Sequence, residues 1–255
     1  MTGTPRRLDW DSDFFGFEVA ESVFDHAQPT DVEAAVATAR EQGAALLVCR
    51  MPAGAVDPAS LPGVLADTRH IYAMPPTRPV PDWPVDGLPG LEPYAARVMA
   101  PDLARLAVQS GRQSRFFRDP DFPRPAARAL YTRWMERIVT RELSERVLVL
   151  VARGGDGCCT AMGATYLGTD GHGQPSLMAA LPGRANSGFG RAYFRAMMMW
   201  FHDEGVTEAR IRTQARAGAA CNLYERAGWV LERREDIVHV WLDRPAGRAG
   251  SKDPA

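Results

Sequence analysis

The stretch Ser176-Leu-Met-Ala-Ala-Leu-Pro-Gly-Arg-Ala-Asn-Ser-Gly-Phe-Gly-Arg191 holds the residues best suited to chemistry. An apolar run ends in a glycine-rich turn, and a long apolar helix follows. Gly188 and Gly190 let backbone N–H groups approach a ligand closely. The helix start adds unpaired donors at the positive end of the macrodipole. Such a turn is an anion site, and pyrophosphate is the anion it suits. Arg184 and Arg191 flank it. A Gly-x-Gly before a helix is also an ordinary connection, so its neighbours must decide between the two readings.

Composition removes several other chemistries. Thirty Lys+Arg stand against 31 Asp+Glu, a net charge of -1, which lacks the basic excess of a nucleic-acid partner. The only lysine is Lys252 and the other basic residues are arginine, a bias that GC-rich coding produces and that an arginine-built phosphate site would sharpen locally. The cysteines are Cys49, Cys158, Cys159 and Cys221. Adjacent Cys158 and Cys159 make no CxxC pair and no histidine lies at ligand spacing from them, so no metal is expected. Buried, reduced thiols fit a cytoplasmic protein. No apolar window reaches membrane-spanning length, and the start MTGTPRRLDWDSDFFG lacks the apolar core of a signal peptide.

The elements around the loop read as α/β. The chain of 255 residues falls between one and two average domains. Seven of the nineteen residues from Pro75 to Pro93 are proline, which marks a linker or long loop. Before it, a strand over Phe17–Phe24, a helix opened by a Thr30-Asp31-Val32-Glu33 capping box and a buried strand over Ala44–Cys49 form a βαβ-like unit. After it come a strand over Tyr94–Met99, a helix from Pro101 to Gly111 and a second helix after Pro123. Three strands follow over Val147–Arg153, Cys158–Leu167 and Ser176–Leu181, with Gly/Asp turns between them. A helix over Gly188–Glu204, a strand over Ala209–Thr213, a helix over Ala219–Arg226 and two strands, Trp229–Arg233 and Val238–Leu242, complete a mixed sheet. Pro245–Ala255 reads as a disordered tail.

In this order of elements the chain resembles the GCN5-related N-acetyltransferases over roughly residues 94–242. Ala185-Asn186-Ser187-Gly188-Phe189-Gly190 occupies their pyrophosphate motif, and Leu223-Tyr224-Glu225-Arg226-Ala227-Gly228-Trp229 their tyrosine motif. Two residues depart from the pattern: Ala185 stands where Gln or Arg is usual, and Ala217 where many members place Asn. The resemblance implies acetyl-CoA as co-substrate, held by Met178, Ala179, Arg184, Asn186, Ser187, Gly188, Phe189, Gly190 and Arg191. Tyr224 matches the position of the acid that protonates the departing thiolate, and N–H groups near Met178 and Ala179 that of the carbonyl-polarising donors. It implies residues 1–92 as a partial acetyltransferase-like domain with its linker, 93–245 as the acetyl-CoA-binding domain, and 246–255 as a tail.

Leu8-Asp-Trp-Asp-Ser-Asp-Phe-Phe-Gly16 and Ser114-Arg-Phe-Phe-Arg-Asp-Pro-Asp-Phe122 further resemble segments of the dTDP-fucosamine (dTDP-4-amino-4,6-dideoxygalactose) N-acetyltransferases. That likeness implies a small-molecule amine acceptor, a dTDP-amino sugar, met by Arg115, Arg118 and Tyr131, and leaves a homodimer open. Asp119, Glu225, His172 and Tyr131 are the candidate bases. Two other readings stand beside this one. The first is acetylation of a different amine (an aminoglycoside, an amino acid or a protein N-terminus), and the second is a non-catalytic acyl-CoA sensor.

Overall fold

The computed structural model describes residues 3–83, 90–184 and 187–243. Lys252, the proposed tail and two residues of the pyrophosphate motif, Ala185 and Asn186, lie outside them. Contacts divide the chain into two compact units, Met1–Thr68 with Asp119–Asp121 and Arg234–Ala255, and Arg69–Arg118 with Phe122–Arg233. Among the described residues no helix is long and apolar enough to cross a membrane.

The first unit contains β1 (Arg6–Arg7), α1 (Asp9–Phe15), β2 (Val19–Val23), α2 (Pro29–Glu41), β3 (Leu46–Pro52), a 3-10 turn at Pro58–Ser60, the start of β4 (Val64–Ala73) and most of β10 (Val230–Trp241). The expected strand–helix–strand unit is present: β2 and β3 pair in parallel with α2 as the crossover. Val32, Ala35, Val36 and Ala39 recur at helical spacing and are buried against Leu47 and Cys49 of β3 and Val238 of β10. The cap differs from expectation. Pro29 takes the first helical position, so the N-cap is Gln28, whose N–H donates to Asp31 Oδ2 at 2.9 Å, and Thr30 lies inside the helix.

β10 is one strand where two were expected. The acidic residues that interrupt its apolar pattern are buried with partners. Glu235 accepts from Arg50 at 3.2 Å, and Asp236 accepts from Thr68 Oγ1 at 2.7 Å and from the Gly54 N–H at 2.8 Å. Paired in this way, they leave the ladder to β3 unbroken.

The second unit contains β5 (Glu92–Pro93), α3 (Pro101–Ser110), α4 (Arg115–Arg118), α5 (Arg124–Val139), β6 (Val147–Arg153), β7 (Cys159–Leu167), β8 (Gly173–Ala180), α6 (Phe189–Asp203), β9 (Arg210–Gln214) and α7 (Gly218–Arg226). Strands β5, β6, β7 and β8 form an antiparallel sheet in that order. The apolar stripe of α6 (Phe194, Met197, Met198, Phe201) packs with Leu150, Ala152 and Ala161 on one face. Helices α3 and α5 pack against each other and against β6, β7 and β8. The strand expected over Tyr94–Met99 is absent. Tyr94 continues from β5 by one bond to Val149 O, and its hydroxyl then donates to Val98 O at 2.7 Å, closing the segment on itself. Of the four thiols Cys158 is exposed, because it lies in the turn before β7 rather than in the strand.

Asp119 is a buried carboxylate of the first unit with three polar partners. Oδ2 accepts from Trp241 Nε1 at 2.8 Å and lies 2.7 Å from His239 Nδ1, while Oδ1 accepts from the Asp121 N–H at 2.8 Å. Both Asp119 and His239 are fully buried. Burial by itself would raise the carboxyl pKa; the bond and charge of His239, with those from Trp241 and Asp121, outweigh it and hold it below the usual value. The stabilisation is therefore complete above the unfolded-state pKa of about 3.9 and is lost as pH falls through the lower folded value. Asp119→Ala should lower unfolding stability at pH 7 by about 3 kcal/mol in urea titrations. The gap to the unsubstituted protein should narrow below about pH 4; a gap independent of pH would show that the carboxylate charge is not what stabilises.

Candidate active site

The site is built on two strands that meet and then part. A parallel bridge joins β8 to β9 at Gly173 and Ala209, and the Gly173 N–H donates to Glu208 O at 2.8 Å. A side chain could not replace the hydrogen at Gly173, because its Cβ would lie 2.4 Å from Phe201 Cζ and 2.9 Å from Ala209 Cβ. Past this point β8 stays with β7 and β9 stays with β4, with no further pairing between them among the described residues.

Ladder parity shows which amides the wedge leaves open. Leu181 N–H donates to Thr160 O, and the same register pairs Ala179 with Met162 and Met178 with Gly163. Bonded and non-bonded pairs alternate in an antiparallel ladder. Ala179 therefore directs its N–H to Met162, whereas Met178 directs its N–H and C=O to the open edge. Across the wedge, Met74 N–H donates to Ala209 O and Tyr72 pairs with Ile211. The polar groups of Arg210, Arg212 and Gln214 thus also face away from β4.

At the far end of β8 the chain turns into α6. Gly188 is the N-cap, at φ +84°, a left-handed conformation that favours glycine, and no side chain caps the helix. The first intrahelical bond is Ala192 N–H to Gly188 O, so the amides of Phe189, Gly190 and Arg191 carry no partner within the helix. Gly190 lies close under its neighbours: a Cβ there would be 3.3 Å from Leu223 Cδ2. The helix is held to the sheet by Tyr193, whose hydroxyl shares a 2.6 Å bond with Thr165 Oγ1 in full burial. The first turn of α6 carries no acid, and Arg191 lies within it.

Tyr224 arrives from α7. Its ring is buried edge-on to Tyr72 at 5.6 Å and against Phe194 at 5.7 Å. Tyr72 donates its hydroxyl proton to Glu225 Oε1 at 2.7 Å, tying β4 to the residue after Tyr224. Burial, with the nearby Cys221 sulfur, pushes the Tyr224 phenol above its ordinary pKa, so it is a proton donor at neutral pH. No residue among those described bonds its hydroxyl.

These pieces surround one cleft of about 950 Å³, lined by Met178, Ala179, Arg184, Ser187, Gly188, Phe189, Gly190, Arg191 and Tyr224 together with Tyr131. The proposed cofactor and acid residues that are described thus share one cavity. Arg115 and Arg118 do not line it; Arg115 stacks 4.4 Å over the Phe116 ring instead. Among the candidate bases, Asp119 belongs to the first unit, Glu225 is engaged by Tyr72, and His172 lies 3.1 Å from Asp170 outside the cleft. Of these only Tyr131 lines the cleft.

Charge was the feature least evident beforehand. Arg112, Arg184, Arg191, Arg212, Arg216 and Arg226 line the cleft, and no Asp, Glu or His does among the described residues. None of the six makes a side-chain ion pair among the described residues. Elsewhere Arg50, Arg133 and Arg210 are each paired with glutamate. The cleft therefore offers unpaired cations, two sets of open amides and one buried phenol, which together suit an anionic ligand and a reaction that develops an oxyanion.

No protein-family model matches the chain, and no curated protein matches it in sequence. Solved structures share its fold. A tandem GNAT protein from the clavulanic acid biosynthesis pathway aligns over 87% of this chain and 74% of its own, with a TM-score of 0.54 at 14% identity. A GCN5-related N-acetyltransferase from Kribbella flavida aligns over 96% and 91%, with a TM-score of 0.51 at 18% identity. A conserved protein of unknown function from Staphylococcus epidermidis aligns over 88% and 83%, at 0.55 and 10%. The fold is thus the mixed α/β fold of the GCN5-related N-acetyltransferases, as the order of elements led us to expect.

If the turn before α6 holds a pyrophosphate, replacing Arg184 and Arg191 together with Gln should weaken binding of coenzyme A, used as the probe, by roughly tenfold to a hundredfold. Titration calorimetry at two salt concentrations measures this. An affinity indifferent to both arginines and to salt would remove them from the site.

Proposed function

We propose that this protein is an acetyl-CoA-dependent N-acetyltransferase that acylates the amine of an amino sugar, with a nucleotide-activated dTDP-amino sugar as the acceptor. The observation that carries acetyl transfer is the meeting, in one cleft, of the open Met178 edge, the uncapped start of α6 and the buried Tyr224 phenol.

The residues fit the co-substrate. The amides of Phe189, Gly190 and Arg191, with Arg184 and Arg191, suit its pyrophosphate. The Met178 N–H suits the acetyl carbonyl, where it would meet the negative charge that develops as the amine nitrogen attacks. Of the two residues expected in that role, Ala179 is disfavoured because its N–H faces Met162. As the carbon–nitrogen bond forms and the carbon–sulfur bond breaks, Tyr224 gives its proton to the departing sulfur. The acceptor nitrogen releases a proton, which restores the phenol through water. With no carboxylate or imidazole among the described lining residues, the amine must enter neutral by exchange with solvent.

The arginines weigh among the acceptors. An aminoglycoside or another polycation would be repelled by six unpaired guanidinium groups with no carboxylate to receive it. A phosphorylated sugar is attracted by them.

Tyr224→Phe keeps the ring packing and removes the proton, so kcat should fall by roughly a hundredfold or more while acetyl-CoA affinity holds. Release of free thiol from acetyl-CoA in the presence of dTDP-amino sugars measures it. An unchanged kcat would remove Tyr224 from the acid role, and binding without any thiol release would support a sensor instead.

A further inference from the structure

Giving a proton to a departing sulfur requires the Tyr224 hydroxyl to be aimed to within about 0.5 Å. Neither the phenol nor its helix fixes that aim alone. No described residue bonds the hydroxyl, α7 has only nine residues, and no side chain caps its start. A helix of that length is held in place by what packs against it.

Tyr72 on β4 meets α7 at two points. Its ring lies edge-on to the Tyr224 ring with centroids 5.6 Å apart, and its hydroxyl donates to Glu225 Oε1 at 2.7 Å. Consecutive helical side chains point about 100° apart, so the two contacts grip adjacent faces of one turn. One contact alone would let α7 turn about it. Two fix its rotation, and with it the direction in which the Tyr224 side chain leaves the helix. Phe194 adds a second ring against Tyr224 at 5.7 Å.

The clamp is itself firmly seated. Tyr72 is fully buried on a strand paired with β9, opposite Ile211, so the sheet sets its position. Burial, then the bonds to Glu225 and Cys221, push its phenol above the ordinary pKa, and it remains a hydrogen-bond donor at neutral pH. Neither Tyr72 nor Glu225 lines the cleft, so an effect of either on the reaction must pass through Tyr224.

We propose that Tyr72 and Glu225 are positioning residues for acetyl transfer, their bond setting the aim of the Tyr224 hydroxyl on the thioester sulfur. This rests on the reading of Tyr224 as the acid and adds what orients it. Glu225, which the sequence offered as a candidate base, thereby takes a different task.

Tyr72→Phe keeps the ring contact and removes the bond. With a dTDP-amino sugar as acceptor, kcat for thiol release from acetyl-CoA should fall by roughly tenfold, while KM for acetyl-CoA and the calorimetric affinity for coenzyme A hold. Glu225→Ala, a change at an exposed side chain, should reproduce the loss. Glu225→Gln, whose amide oxygen still accepts, should recover most of it. On a Tyr224→Phe background, Tyr72→Phe should cost less than about twofold further, because no proton is left to aim. A purely structural role would lower the rate on either background.

An unchanged kcat in Tyr72→Phe would overturn the clamp, as would equal losses with and without the Tyr224 hydroxyl. Either result leaves the acid role standing as long as Tyr224→Phe is itself slow. If Tyr224→Phe turns over at the full rate, the acid reading falls and the clamp with it. Absence of thiol release from the unsubstituted protein would remove acetyl transfer and the clamp together.

Discussion

The parting of β8 from β9 beyond Gly173 and Ala209 is the constraint on which the rest of the second unit depends. Two strands that separate inside a fold leave facing edges with unmatched N–H and C=O groups, and such groups are costly unless water or a ligand answers them. The surroundings hold the wedge open rather than letting it zip shut. Phe201 sits against Gly173, Tyr193 anchors α6 to Thr165 on the neighbouring strand, and the bond from Tyr72 to Glu225 holds α7 beside β4. The same residues that form the core around α6 therefore also maintain the open edge at Met178.

The arginines follow the same logic in electrostatic form. In the first unit, Arg50 lies between Glu21 and Glu235 and its charge is matched within the protein. None of the six cleft arginines makes a side-chain ion pair among the described residues, although the charge of Arg212 reaches Glu232. Open amides and exposed guanidinium groups both favour an anion, the amides by direction and the arginines by a field that salt screens. A cationic acceptor would gain nothing from either.

Much of this was legible before the structure. The anion-binding turn follows from Gly188, Gly190 and the apolar helix behind them, and the crossover unit from the periodicity of Val32, Val36 and Ala39. What stayed hidden has physical causes. β4 has no alternating pattern: Ala66 and Asp67 are buried side by side, as are Ile71 and Tyr72, because both faces of the strand are covered. With β4 unseen, Tyr72 and its hold on Glu225 could not be anticipated. The continuity of β10 was masked by Glu235 and Asp236, which read as surface charge until Arg50, Thr68 and Gly54 are seen to answer them. Arg112 carries no local motif; only the packing of α3 brings it to the cleft.

The division of labour between backbone and side chains explains why the fold persists where sequence likeness is slight. Part of the cleft is built from main-chain groups: Met178 presents its amide whatever its side chain, and α6 presents three amides whatever residues carry them. Such a site tolerates substitution at most positions, provided glycine remains where φ is positive or a neighbour presses close. Ala185 and Ala217, small residues where larger polar ones are usual in the family it resembles, are in keeping with that tolerance. Elsewhere the cleft is lined by side chains, among them Gln109, Arg112, Gln113, Tyr131 and Trp134. One part of the cleft is thus set by backbone geometry and the other by residue type, and only the second can vary without moving the strands.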